Sequence, residues 1–141
     1  MRMPRARTVL LGAVFVAAVG AVWLGGLAGP RAPKLPGGRP IRVEVLNGTR
    51  VPRAGLAIAE KLRDKGFDVV DIRSAEDTRR DGRVYEHTLV LDRVDEARWA
   101  EAVAKCLGVE ETIHQRNDDL LLEVTVILGL DLAERHGGKK K

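Results

Sequence analysis

Hydrophobic residues alternate with polar ones in IRVEVL, residues 41–46, and this period of two predicts a β-strand with one buried face. The alternation stops at Asn47, Gly48 and Thr49. Beyond that break, small or hydrophobic residues recur at helical spacing on one side of residues 55–66: Gly55, Ile58, Ala59, Leu62 and Gly66. The stretch therefore predicts a strand, a turn and an amphipathic helix that Gly66 ends.

The same two periods predict the remaining elements. Strands are expected at residues 67–72, 87–94 and 121–129, with a weaker strand at 111–116, and a helix is expected at 95–107 with Asp95 as its cap and Gly108 at its end. Residues 73–86 are expected to form an exposed, locally basic loop with acidic residues interleaved, and residues 117–119 a turn. The order β-α-β-β-α-β-β predicts the α+β class. It indicates a ferredoxin-like two-layer sandwich built on a split βαβ unit, with two helices on one face of a small sheet.

The longest hydrophobic run lies nearer the amino terminus. Residues 8–28 contain no charged side chain, and as a helix they would extend roughly 32 Å. This length favours an uncleaved transmembrane helix behind a basic cytoplasmic tail, residues 1–7. A cleaved secretory signal stays open as the alternative, because Gly26, Leu27 and Ala28 would serve as a cleavage site. Basic residues flank the run on both sides, so charge does not fix its orientation.

Composition and charge divide the rest of the chain. Residues 29–40 contain four prolines, which predicts an extended, unpacked linker. The folded domain is expected at residues 41–132, and a disordered tail at 133–141. Residues 1–40 hold six basic and no acidic side chains, whereas residues 41–141 hold 18 basic and 20 acidic ones. Because nucleic-acid binding depends on a basic excess, the folded part is not expected to bind nucleic acid.

The break after residue 46 is the strongest candidate for ligand binding, and a nucleotide loop is the first possibility to test. A Walker loop requires several glycines, a lysine and a hydroxyl at fixed offsets. Only Gly48, followed by Thr49, is present here, and Pro52 removes one backbone amide. The structural interpretation is that Asn47 and Gly48 form the turn, Thr49 helps to cap the helix, and Pro52 lies in its first turn.

A binding interpretation of the same stretch rests on its two arginines. A helix amino terminus attracts anions, and Arg50 and Arg53 would reinforce that attraction for a carboxylate or phosphate group. The sequence favours the structural interpretation, and the binding interpretation stays open beside it.

No catalytic residue, cofactor or metal site is predicted. Cys106 has no second cysteine to pair with and is expected to be a small core residue. His87, His114 and His136 lack the spacing of metal ligands. Ser74 lacks the flanking glycines of a nucleophile elbow.

Several stretches together resemble the LytR C-terminal domain family of bacterial cell-envelope proteins, over residues 41–132. The most specific part is VLNGT with the following VP and GLA, supported by VILGLD near the end. The resemblance implies a location on the outer face of the membrane and an association with the envelope. It implies no reaction, because the phosphotransferase activity of LytR-CpsA-Psr proteins belongs to a separate catalytic domain that these residues do not resemble. Arg50 and Arg53 depart from the family pattern, in which small residues, often glycine, are expected.

These observations predict a single-pass membrane protein that is held in the membrane by residues 8–28. Its extracytoplasmic domain is expected to be noncatalytic and to bind or scaffold a wall polymer or a wall-assembly protein through Asn47, Gly48, Thr49, Arg50 and Arg53. Two alternatives stay open. The domain could be a membrane-tethered regulatory module facing the cytoplasm, or a small envelope hydrolase or transferase.

Overall fold

A computed structural model describes residues 30–137, and within that range one mixed sheet carries the fold. Its five strands are β1 (Arg42–Asn47), β2 (Asp68–Ser74), β3 (Leu89–Asp92), β4 (Thr112–His114) and β5 (Val124–Leu128). The α-helices are α1 (Ala54–Asp64), α2 (Glu76–Asp81), α3 (Ala97–Leu107) and α4 (Leu130–Gly137). The predicted α+β class is confirmed.

The pairing of the strands differs from the ferredoxin-like prediction. The strand order is β2-β1-β5-β3-β4, with β1 parallel to both β2 and β5, β3 antiparallel to β5, and β4 parallel to β3. A split βαβ unit would place a strand between β1 and β2, but here these strands are direct neighbours. The split arrangement is therefore wrong. The periodicity of a strand reports which face is buried and carries no information about which strand lies beside it.

One face of the sheet carries the apolar core. Val45 of β1, Val126 of β5 and Val90 of β3 are neighbours across three strands, and each is fully buried. Helix α1 packs on β1 and β2, and α3 packs on β3, β4 and β5. Ile58 and Leu62, two positions of the predicted helical stripe, are also fully buried. Burying each such side chain stabilises the fold by about 1.5–3 kcal/mol.

The opposite face of the sheet is held by a polar network that the sequence did not predict. Glu44 of β1 is 3% exposed, although it alternates with the apolar residues of its strand. Its carboxylate accepts a hydrogen bond from the Thr125 hydroxyl at 2.7 Å and one from Arg73 at 3.3 Å. The Arg93 side chain in turn donates to the Thr125 hydroxyl at 2.8 Å. These bonds offset the cost of burying the Glu44 charge.

Residues 32–40, which we call the strap, are packed against the domain. The Ala32 N–H donates to the Lys65 carbonyl at 2.8 Å, and the Leu35 N–H donates to the Arg39 carbonyl at 2.8 Å. Leu35 is 7% exposed and belongs to the core. A short 3₁₀ turn, Pro36–Gly38, reverses the chain. The unpacked linker is therefore wrong for the strap, because its prolines and glycines build a turn that places Leu35 in the core. The compact unit begins at Ala32.

The carboxyl-terminal part is also ordered further than the sequence predicts. Helix α4 continues to Gly137 and packs against α1. Leu132 is 5% exposed, and Ala133 is fully buried. The predicted disordered tail is thus wrong for residues 133–137, since an apolar pair on a short helix anchors them. Residues 138–141 lie outside the described part.

The helix ends test the predicted caps. Gly66 and Gly108 follow α1 and α3 with φ of 97° and 73°, as predicted for left-handed ends.

The predicted cap at Asp95 is wrong, since α3 begins at Ala97 with Glu96 as its N-cap. Asp92 accepts hydrogen bonds from the backbone N–H groups of Val94 and Glu96 instead, at 3.0 and 3.4 Å.

The predicted membrane span, residues 8–28, and the predicted basic tail, residues 1–7, lie outside the described residues. Within residues 30–137, no helix combines the length and the apolar composition needed to cross a membrane.

Candidate functional site

The turn at residues 47–49 satisfies its own polar groups. The Asn47 Oδ1 atom accepts hydrogen bonds from the Thr49 backbone N–H at 3.0 Å and from the Thr49 hydroxyl at 2.7 Å. The Asn47 Nδ2 atom donates to the Val51 carbonyl at 3.1 Å, and the Thr49 hydroxyl accepts from the Val51 N–H at 3.2 Å. Thr49 is 4% exposed. The side chains of Asn47 and Thr49 therefore hold the turn.

Gly48 lies where neighbouring segments close over the end of β1. Its N–H donates to the Leu128 carbonyl at 2.9 Å, and its carbonyl accepts from the Tyr85 N–H at 2.8 Å. A Cβ atom at this position would lie 2.6 Å from the Tyr85 ring and 2.7 Å from the Leu128 carbonyl oxygen. Glycine is thus required by packing. Because the Gly48 amide is already used, this turn does not have the converging free amides of a phosphate-cradling loop.

Helix α1 begins later than the sequence predicts. Its N-cap is Arg53, and no side chain bonds to its first N–H groups. The predicted capping role of Thr49 is wrong, because the Thr49 hydroxyl serves the turn instead. Pro52 precedes the N-cap and so does not lie in the first helical turn. The start of α1 keeps uncapped N–H groups and the positive end of the helix dipole.

Two exposed arginines stand at this helix start. Arg53 adopts φ of 62°, a left-handed conformation that is uncommon for residues other than glycine. Within residues 30–137, no hydrogen bond or ion pair is formed by its side chain. Arg50 is exposed as well and donates to the Gly82 carbonyl at 3.2 Å. The structure therefore places both residues, exposed, in the segment that leads into α1, at the end of the sheet where an anion would be stabilised.

The predicted loop at residues 73–86 forms α2 and lies against the candidate turn. Arg79 pairs with Glu76 at 2.8 Å, and Arg83 approaches Asp77 at 4.0 Å. Arg80 is exposed and forms no ion pair with any residue in the range 30–137. Arg80 is thus a further exposed cation of α2, the helix whose C-cap Gly82 accepts the bond from Arg50. The sequence did not single it out, because basic and acidic residues alternate in this loop.

A second turn, after β5, was not recognised as part of this end of the sheet. Both Asp131 oxygens accept hydrogen bonds from the Thr88 N–H, at 3.0 and 3.1 Å, and Oδ1 also accepts from the Thr88 hydroxyl at 2.6 Å. Burial raises the pKa of Asp131, but the hydrogen bonds from Thr88 and Leu132 outweigh it, so the pKa lies below its ordinary value. The sequence feature that could have identified this turn is the glycine and aspartate of VILGLD, which follow directly after a strand.

Gly129 makes this second turn possible. A Cβ atom there would lie 2.6 Å from the Thr88 nitrogen and closer still to the His87 carbonyl carbon. The Gly129 N–H donates to the Thr88 hydroxyl at 3.0 Å. The two turns that carry the family resemblance therefore meet through β5, and both are built for close backbone packing.

The other predicted candidates lie elsewhere. Cys106 packs partly buried against the core, and burial raises the pKa of its thiol, which disfavours the reactive thiolate. His114 ends β4 between two carboxylates, with Nδ1 3.2 Å from Asp92 Oδ2 and Nε2 2.6 Å from Asp95 Oδ1. In the described part of the chain, no group of three or more histidine, cysteine, aspartate or glutamate side chains is arranged to hold a metal ion.

Comparisons with known proteins identify the family to which the chain belongs. The model of the family described as LytR cell envelope-related transcriptional attenuator matches residues 40–132. The match covers more than half of the chain, and the chain therefore belongs to this family. The resemblance carried by VLNGT and VILGLD is confirmed.

Among solved structures, the soluble domain of a conserved hypothetical secreted protein from Mycobacterium marinum is similar to this chain. The two are 22% identical, the TM-score is 0.49, and the match covers 77% of this chain and 69% of that one. No curated protein matches the sequence.

Proposed function

We propose that the chain is a noncatalytic cell-envelope module, anchored by residues 8–28, whose extracytoplasmic domain binds anionic groups of a wall polymer or of a wall-assembly protein. Membership of a cell envelope-related family supports the association with the envelope. The uncharged run of residues 8–28 supports the anchor.

The observation that carries the binding proposal is the conformation of Arg53. A left-handed backbone costs a non-glycine residue about 1–2 kcal/mol. Within the described residues, the Arg53 side chain forms no hydrogen bond or ion pair that would offset this cost. Strain of this kind is often kept where a side chain serves a ligand, and a guanidinium beside an uncapped helix start suits a carboxylate or phosphate.

The proposed surface is smaller than the predicted one. Arg50 and Arg53 are its binding groups. Asn47, Gly48 and Thr49 hold the two arginines in place, because their own polar groups are used within the protein. A binding role for the Asn47 and Thr49 side chains is not included in the proposal.

The test is binding of the purified full chain to isolated cell-wall material. Replacing both Arg50 and Arg53 by alanine should weaken binding at least tenfold, since charge-assisted hydrogen bonds contribute about 1.5–3 kcal/mol each. Lys105→Ala with Arg135→Ala removes the same charge from exposed positions on α3 and α4 and should bind as the unmodified chain does. If both double variants bound cell-wall material equally well, the proposed binding surface would be refuted.

The orientation of the domain has its own test. Protease added to intact cells should cut the domain, and a reporter fused after Lys141 should be active only outside the cytoplasm. Protection of the domain until the membrane is opened would contradict the extracytoplasmic location and favour the regulatory alternative.

A further inference from the structure

The chain reaches the domain at the end of the sheet opposite to the candidate site. The parallel strands β1 and β2 start side by side, with Arg42 paired to Asp68. The strap lies against this end, since Ala32 is bonded to the Lys65 carbonyl after α1. We call it the amino edge of the sheet. The other end, where β1, β2 and β5 stop, is the carboxyl edge.

Packing of the strap leaves a very short tether. When residues 8–28 span a membrane, four residue steps separate Ala28 from Ala32. A fully extended chain of that length reaches at most about 14 Å. A strap within that reach can contact lipid headgroups, whereas the predicted twelve-residue linker would reach about three times as far.

The strap is a cationic corner of the amino edge. Lys34 and Arg39 are exposed, and neither forms an ion pair within residues 30–137. The sequence adds Arg31 before the strap and places no acidic residue in it. The neighbouring end of α1 is balanced, with Lys61, Arg63 and Lys65 beside Glu60, Asp64 and Asp68. The positive excess of this corner therefore comes from the strap.

The opposite corner of the same edge has the other sign. β3 and β4 end there, and the loops that follow them carry the carboxylates Asp95, Glu96, Asp118 and Asp119. Arg116 is already paired with Asp95 and Asp118, both at 2.9 Å. Arg98 is paired with Glu96 at 2.9 Å. The amino edge is thus cationic at the strap and acidic beyond β3.

We infer that the strap docks on anionic phospholipid headgroups, with Lys34 and Arg39 as the contacting cations, and that the acidic corner is held away from the membrane. The inference rests on the proposed anchor. It fixes the orientation of the domain, because the carboxyl edge with Arg50 and Arg53 then points away from the bilayer. Lipid charge acts on each cation within about one Debye length, roughly 8–10 Å.

The experiment uses the full chain in vesicles, with Cys106 replaced by alanine and one reporter cysteine added. Pro33→Cys reports on the strap and Asp119→Cys on the acidic corner, both at exposed positions. Quenching of a fluorophore on each cysteine by headgroup-spin-labelled lipid is measured in phosphatidylcholine and in phosphatidylcholine with phosphatidylglycerol. We expect the strap label to be quenched more than the corner label, and the difference to grow with phosphatidylglycerol.

Charge variants separate docking from mere tethering. Lys34→Gln with Arg39→Gln should lower the docked-to-undocked ratio about fivefold for each charge removed, and salt should have a similar effect. Arg80→Gln with Arg83→Gln removes the same charge at the carboxyl edge and should leave the quenching unchanged. Equal quenching of both labels, or no effect of lipid charge, would overturn the docking.

The anchor is tested in the same samples. If an alkaline wash released the chain from the vesicles, residues 8–28 would not be a membrane anchor. The docking of the strap, which rests on that anchor, would then be overturned as well. Retention of the chain with symmetric quenching would overturn the docking alone. Binding of wall material through Arg50 and Arg53 is measured separately and is affected by neither result.

Discussion

The two ends of the sheet use their polar residues in different ways. At the carboxyl edge, Asn47 and Asp131 commit their side-chain oxygens to backbone N–H groups and hydroxyls of the domain itself. At the amino edge, Lys34 and Arg39 stay exposed on a strap that is held by backbone bonds and by Leu35. The difference teaches that the motifs by which the family is recognised are mainly architectural. The charges that are available to partners stand beside those motifs.

The largest effect is expected at the carboxyl edge, for Gly129→Ala. The added Cβ atom would meet the backbone of His87 and Thr88, which cannot move without breaking the turn, so we expect a loss of about 3 kcal/mol in the free energy of unfolding. Urea unfolding measures it. Gly55→Ala is the matched control, because its Cβ atom would lie 3.4 Å from Ile72 in ordinary contact and should change stability by less than about 1 kcal/mol. Equal stability of the two variants would show that the second turn is loose.

At the amino edge, Leu35→Ala tests whether the strap is part of the fold. Removing a side chain that is 7% exposed should cost about 2 kcal/mol, at the lower end for buried leucines because the site lies at the margin of the core. Lys34→Ala, at an exposed neighbouring position, should cost less than about 0.5 kcal/mol. If Leu35→Ala were as stable as Lys34→Ala, the strap would be the free linker that composition predicts, and the short tether would be lost with it.

A smaller and pH-dependent effect is expected for Asp131→Asn. The hydrogen bonds hold the pKa of Asp131 below its ordinary value, so the ionised carboxylate stabilises the fold above pH about 4, and this contribution is lost as the pH falls through the lowered pKa. The amide would replace an acceptor with a donor facing Thr88, at a cost of about 1–2 kcal/mol at neutral pH.

Urea unfolding at pH 7 and near pH 3 measures this difference, which should shrink in acid. Asp119→Asn is the control, since Asp119 is exposed and its side chain forms no bond within residues 30–137. A stability difference between Asp131→Asn and the unmodified protein that stays constant with pH would mean that the charge of Asp131 does not matter.

The sequence predicted what depends on local pattern. The alternation of Val43 and Val45 located β1, and the helical stripe located α1, because each period reports one buried face. Strand order could not be predicted in this way, since β1 pairs with β2 and β5 through backbone groups that every residue shares. Leu35 illustrates a second limit. Proline and glycine around it indicate turns equally well in a packed strap and in a free linker, and Leu35 is the only large apolar residue of residues 29–40.

The candidate site was predicted in position but not in the roles of its residues. Asn47 and Gly48 indicated a turn, and the structure has one. Which atoms that turn uses depends on Tyr85 and Leu128, which lie far away in the sequence. The role of Thr49 was therefore assigned to the helix when its hydroxyl serves the turn. Arg50 and Arg53 were identified through the helix start alone, and this is the part of the prediction that the proposed function keeps.

The smallest effect is expected for Arg53→Gly. This variant also sharpens the contrast between the two edges the most. Glycine adopts φ of 62° without steric cost, so the variant should be more stable by about 0.5–1 kcal/mol, the gain being reduced by the greater freedom of glycine in the unfolded chain. Arg53→Gln keeps the strained backbone while it removes the charge, and its stability should match that of the unmodified protein. Both variants should lose binding of wall material to a similar extent.

A more stable Arg53→Gly variant that binds less tightly would show that the arginine is kept at this position at the expense of stability. Were Arg53→Gly less stable than the unmodified protein, the guanidinium would be stabilising the fold, and the strain would no longer support a binding role.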